Sequence, residues 1–192
     1  MMRLILPLLL LALLAGCAGG GSATQRYALP GPEAATVAAA ETRLLIAPLQ
    51  LVEYLDQEGI VLQLDDISRH QAREHRWIEA PGPHLARGLR DRLAERLPQT
   101  QVALARGDDA PAPRLRLEVE RFEGRYDGMA IAAGSWRLAS AEGSPLAQGR
   151  FHAERPLAGD GYPALVRALG ESWDAVADQV AEALAPRLAT DR

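Results

Sequence analysis

The chain has 192 residues, 48% of them hydrophobic, 24% charged and 5% aromatic, with one cysteine and a formal net charge of -4. That length permits one domain or at most two small ones, and the balanced composition excludes wholesale disorder. A single cysteine excludes an intramolecular disulfide and a cysteine-based zinc site, and the acidic balance argues against a dedicated nucleic-acid binder.

Met1-Met2-Arg3 precedes an apolar run from Leu4 to Leu14. It is the only such run and is too short to span a bilayer core, which takes about 20 residues. The run ends in Leu14-Ala15-Gly16-Cys17. Small residues before a cysteine, directly after such a segment, resemble the lipobox of bacterial lipoproteins. The resemblance implies cleavage before Cys17 and a diacylglyceryl group on its thiol, so that the protein is anchored to a membrane and does not span it. The plain alternative is a buried thiol in a core helix. Residue 18 is alanine rather than aspartate, which by the sorting rule of such lipoproteins implies the periplasmic face of the outer membrane. Residues 1–17 are thus expected to be a signal peptide. Residues 18–24, with Gly19-Gly20-Gly21-Ser22, read as a flexible tether of about 25 Å when extended. Residues 25–192 remain for the folded domain, with no cofactor beyond the covalent lipid on Cys17.

Tyr27-Ala28-Leu29-Pro30 predicts a short strand ended by proline, and residues 31–41 a loop. The apolar run Arg43 to Leu51 predicts a central strand buried on both faces, interrupted near Pro48, which cannot donate to a ladder. Ile60 to Leu64 and Ile67 to Ala72 predict two strands joined tightly through Asp65-Asp66. The polar stretch Glu74 to Trp77 predicts the start of a short helical piece. Leu85, Leu89, Leu93 and Leu97 recur four apart and give a helix from Pro83 to Leu97, stopped by Pro98.

Four more strands follow. Gln101 to Ala105 is short. Arg114 to Phe122 alternates, with Leu115, Leu117 and Val119 on one face and Arg116, Glu118 and Glu120 on the other. Phe122 breaks that parity and predicts a bulge near Glu120 or Arg121. Met129 to Ala139 and Ala147 to Ala153 complete the set, with turns at Tyr126-Asp127-Gly128 and Glu142-Gly143-Ser144. A last helix from Pro163 to about Leu188 carries Leu165, Leu169, Trp173, Val176, Val180 and Leu184 at spacings of three and four. Asp174, Asp178 and Glu182 line its other side, and Pro186 is expected to fray or kink its end. The fold class is therefore α/β in the broad sense, α+β-like. A single domain holds a mixed β-sheet against two long amphipathic helices.

No catalytic signature stands out. The histidines His70, His75, His84 and His152 form no H-E-x-x-H pattern, no G-x-S-x-G elbow is present, and the acid pairs are sequence neighbours. No metal site and no enzymatic activity are expected. The segment Phe122-Glu123-Gly124-Arg125-Tyr126-Asp127-Gly128 is the remaining candidate. Its bland reading is a hairpin turn with Gly128 left-handed and Asp127 bonding the turn. Its functional reading displays Arg125 and Tyr126 as partner contacts, since both residue types are enriched at interface hot spots.

Taken in order, the lipobox, Tyr27-x-Leu29-Pro30, Arg43-Leu44-Leu45, Tyr54-Leu55, Gly59-Ile60-Val61 and Trp77 give way to Leu89 and Leu97-Pro98. Phe122-x-Gly124-Arg125-Tyr126-Asp127-Gly128, Gly134-x-Trp136, Gly161-Tyr162 and a C-terminal helix containing Trp173 follow. This series resembles the ABC-type transport auxiliary lipoproteins of Pqi-type systems over nearly the whole chain after Cys17. The resemblance implies a non-catalytic outer-membrane subunit that supports envelope integrity. It would hold the outer end of a periplasmic lipid tunnel built by an MCE-domain (PqiB-like) protein, as a homo-oligomeric ring. Tyr54, Trp77, Arg125 and Tyr126 are the expected partner contacts, with a core position equally open for Trp77. Gly124, Asp127, Gly128, Trp136 and Trp173 are the expected structural positions. Rival readings are an assembly or cell-wall lipoprotein of another envelope machine, a periplasmic hydrolase, and a lipid carrier with an internal apolar cavity.

Overall fold

The computed structural model describes residues 23–32, 40 and 42–190. Cys17, the signal segment and most of the tether lie outside the described residues. The strands are β1 (Gln25–Tyr27), β2 (Thr42–Ile46), β3 (Gln50–Leu51), β4 (Gly59–Gln63), β5 (Arg69–Trp77), β6 (Thr100–Leu104), β7 (Arg114–Arg125), β8 (Met129–Ala139) and β9 (Pro145–Pro156). The helices are α1 (Pro81–Arg96) and α2 (Tyr162–Thr190).

All nine strands form one mixed sheet, whose spine is β7. The β8 strand runs antiparallel along one edge of β7 for its full length, and β9 pairs antiparallel with β8. The other edge of β7 is shared. It takes β2 at Leu115, β3 at Glu118 and Val119, and β4 at Gly124 and Arg125, all parallel. Beyond β2 lies β6, parallel to it, and beyond β4 lie β5 and then β1. The expected Arg43–Leu51 strand is thus split into β2 and β3 around Pro48, because proline offers no N–H to the ladder.

The predicted bulge is present: the β7–β8 register shifts between Val119 and Arg121. It restores Phe122 to the side of Leu115, Leu117 and Val119, all buried. Gly134 pairs with Val119 at this point, and a methyl group there would lie 2.0 Å from the Glu118 carbonyl oxygen. Only a residue without Cβ allows the two strands to close around the bulge. Gly128 and Gly143 take left-handed φ values of 81° and 90° in the two hairpin turns, a region open to glycine at no steric cost.

One face of the sheet is covered by both helices. The α2 helix lies on β8 and β9, and α1 packs against β6 and α2. The leucine stripe of α1 and the apolar stripe of α2 are buried together, each full side chain contributing roughly 1.5–3 kcal/mol. Trp173 sits at the centre, edge-on to Phe122 and Phe151, and its indole N–H donates to the Leu85 carbonyl at 3.2 Å. Trp136 is also buried, its ring lying over Gly149. At the β9 edge, Gln179 of α2 accepts the His152 N–H at 3.2 Å and donates to the His152 carbonyl at 2.9 Å.

Three expectations are corrected. Glu74 to Trp77 is strand, not helix. It is held between β4 and β1, and this pairing overrides the weak local preference of a polar run. The first strand precedes Leu29-Pro30 and ends at Tyr27, where the Tyr27 carbonyl accepts the Ile78 N–H. Pro186 lies inside α2, which continues to Thr190. Asp174 and Asp178 lie on the exposed side of α2 and pair there with Arg92 and Arg96 of α1.

Candidate functional site

On β7 the bulge decides which side chains reach each face. Phe122 and Gly124 point to the helices. A methyl on Gly124 would lie 2.8 Å from Leu62 and 2.9 Å from Leu165, so glycine lets α2 approach. Arg121, Glu123 and Arg125 point to the open face. Glu123 is fully buried there beneath two arginines. It accepts from Arg69 Nε at 3.0 Å and from Arg121 Nε at 2.7 Å, while Arg121 Nη2 also donates to Gln63 at 2.6 Å. The Arg69 guanidinium lies 5.4 Å from the centre of the Tyr54 ring, a cation–π distance. The Tyr54 hydroxyl donates to the Glu120 carbonyl at 2.8 Å. Burial, followed by the Glu123 charge, raises the Tyr54 phenol above its ordinary value.

Arg125 is engaged within the fold. Its Nη1 and Nη2 form a two-point contact with the Glu154 carboxylate at 2.8 and 3.0 Å, reaching across β8 to β9. Its Nε donates to Asp127 at 2.8 Å. The Arg125 guanidinium accordingly holds the Asp127 and Glu154 carboxyls below their ordinary range. Tyr126, next to it, is 63% exposed. Trp77 is 5% exposed and packs against Phe122 and His84, so of its two open readings the core position is the one occupied. Gly124 and Gly128 hold the segment's backbone positions. The Asp127 carboxylate is directed chiefly to Arg125.

Because β4 and β7 run parallel with Gln63 opposite Arg125, the turns that follow them sit at the same end of the sheet. The β4–β5 turn is built by Asp65, whose Oδ1 accepts the Ile67 N–H at 2.9 Å and the Ser68 N–H at 2.6 Å. Those bonds hold its carboxyl below the ordinary range. The turn pushes Leu64 and Ile67 outward, 54% and 84% exposed. Leu64 and Ile67 on one turn and Tyr126 on the next give this end an apolar edge beside the Tyr54–Arg69 pair. Contiguous exposed apolar side chains of this kind mark contact surfaces.

Leu64 and Ile67 were legible only as strand ends. Their signal was an apolar residue on each side of an aspartate turn, which a hairpin normally turns away from solvent. Among the described residues no group of His, Cys, Asp and Glu is placed to hold a metal ion, and no helix is long and apolar enough to cross a membrane.

The model of the ABC-type transport auxiliary lipoprotein component family matches residues 27–181. The intermembrane transport lipoprotein PqiC of Escherichia coli (strain K12) is 31% identical over 175 residues, which span 88% of this chain and 90% of that protein. The Shigella flexneri protein of the same name matches equally. A solved structure of an uncharacterized protein superposes with a TM-score of 0.75 at 25% identity, covering 85% of this chain and 99% of its own. A Xanthomonas campestris protein shares the fold at a TM-score of 0.67 and 19% identity, over 82% of this chain and 92% of its own.

Proposed function

Since this chain belongs to the ABC-type transport auxiliary lipoprotein family, we propose that it is the outer-membrane subunit of a Pqi-type intermembrane lipid transport system. In this reading Cys17 carries the lipid anchor, residues 18–24 are the tether, and the folded domain from residue 25 stands in the periplasm. It performs no chemistry. It seats the outer end of a tunnel made by an MCE-domain protein, as a homo-oligomeric ring, and so supports envelope integrity. The observation that carries the reading is the 31% identity across 88% of the chain to PqiC of E. coli. The apolar edge at Leu64, Ile67 and Tyr126, with Tyr54 beside it, supplies the contact surface. Arg125 shapes the turn from within by its clamp on Asp127 and Glu154.

The test is co-expression of the full lipidated protein with the MCE-domain protein of its own operon. The two should co-purify, and the auxiliary subunit should run as an oligomer by native mass. Tyr126→Ala combined with Ile67→Ser should abolish co-purification or the oligomer while changing folding stability by no more than about 0.5 kcal/mol, as for exposed positions. Cys17→Ser should remove the protein from the outer-membrane fraction. A wild-type protein that stays monomeric and ignores this partner overturns the reading.

A further inference from the structure

At the end of the sheet opposite Tyr126, a groove of about 580 Å³ opens on the uncovered face where β7, β8 and β9 meet. Arg114, Arg116 and Arg137 line it. Arg116 and Arg137 stand directly opposite each other in the β7–β8 register. Like charges in that relation repel and destabilise a sheet. Carboxylates elsewhere in this protein resolve such crowding: Arg69, Arg121, Arg125 and Arg150 on the same face are all paired with glutamates. Among the described residues Arg114, Arg116 and Arg137 have no such partner. The only acidic side chain on the lining, Glu142, accepts from the Ser140 hydroxyl at 2.8 Å. A net charge of -4 for the whole chain means that general basicity does not account for this concentration of positive charge.

The groove is not uniformly polar. Ala139, Pro145 and the half-buried Leu146 form apolar wall beside the guanidinium groups. Its volume is that of a small-molecule site, in the range of about 300–1,000 Å³. Arginine forks match the oxygens of a phosphate group by two-point hydrogen bonding. A fixed anion beside apolar surface describes an anionic amphiphile better than an acidic protein segment, which would offer carboxylates without the apolar part.

We propose that the groove bounded by Arg114, Arg116 and Arg137 binds the phosphate headgroup of an anionic phospholipid, its glycerol and first methylenes lying against Pro145 and Leu146. The inference stands apart from the transport reading, because its test contains no partner protein.

The full-length lipidated protein in maltoside micelles is titrated with dihexanoyl phosphatidylglycerol, dihexanoyl phosphatidylcholine, inorganic phosphate and a polyglutamate peptide, by calorimetry. Phosphatidylglycerol should bind at least about tenfold more tightly than phosphatidylcholine. The double variant Arg116→Gln, Arg137→Gln should erase that difference, and Arg73→Gln, at an exposed arginine outside the groove, should keep it. Without lipid the double variant should melt at the same temperature as the wild type or higher, since it removes the opposed like charges; a lower melt would overturn the claim that they are uncompensated. Three other results overturn the proposal: no preference for phosphatidylglycerol, inorganic phosphate binding as tightly as the lipid, or polyglutamate binding more tightly than the lipid.

Discussion

Arg92, on the helix-covered side of the sheet, directs its whole guanidinium into the protein. Its Nε donates to Asp174 at 2.6 Å, its Nη2 to the Pro30 and Gly170 carbonyls at 2.6 and 3.4 Å, and its Nη1 to the Gly88 carbonyl at 3.2 Å. Arg116 and Arg137, on the open side, have no acceptor among the described residues. All 21 basic residues of the chain are arginine, so residue type cannot separate the two situations. Burial does. A guanidinium shut away from water must find every partner inside the protein or destabilise it. One in water is satisfied by solvent and stays available to a ligand. Arg92 is therefore a tie between α1, α2 and the segment after β1, and Arg116 and Arg137 are the accessible ones.

The contrast can be broken at its buried end first. Arg92→Ala should cost about 3 kcal/mol or more, because it leaves the Pro30 carbonyl and the Asp174 carboxylate without their donor. Arg92→Lys should recover only part of this, since one ammonium cannot reproduce the fork. Chemical denaturation measures both, and a loss below about 1 kcal/mol for the alanine variant would remove Arg92 as the tie.

Glu123 sharpens the comparison, because it is a fully buried charge on the face away from the helices. Glu123→Gln keeps the shape but leaves Arg69 and Arg121 with less charge to answer them. A loss of about 2 kcal/mol is expected, with Tyr54 losing its ordered place against Arg69, readable as a change in tyrosine fluorescence.

The smallest effect concerns His84, which accepts the Leu29 N–H at 3.2 Å on the covered side. Burial is the largest cause that lowers its pKa below the ordinary value of 6.5. The folded state therefore prefers the neutral ring, while the unfolded chain takes up its proton as pH falls through about 6.5. The His84 contribution to stability is complete above that pH, declines below it and levels off once the folded ring is also protonated. His84→Gln should flatten this part of the stability–pH curve. An unchanged slope between pH 7 and 5 would show that the ring does not titrate there.

Much of the architecture was legible because it rests on local rules. The leucine spacing of α1, the alternation of β7 and the glycines of the two hairpin turns each state their own geometry. Even the bulge could be read, since Phe122 falls out of step with Val119. The stretch Glu74 to Trp77 could not be read, because its strand state comes from β4 and β1 on either side and not from its own polar residues. The same limit applied to the site. Arg125 and Tyr126 look alike as display residues in a turn, yet Glu154, 29 residues away, draws one into the fold and leaves the other out. Arg92 reads as one more surface arginine of an amphipathic helix until Asp174 and Pro30 are brought beside it.

Residue order alone fixed the class of the fold, the expected anchor at Cys17 and the family, because periodicity, turn chemistry and short motifs act between near neighbours. The tertiary structure decided which of the charged and aromatic side chains are available. Availability depends on what chain distant in sequence is packed over a residue, and that packing is settled only when the sheet and both helices close on one core.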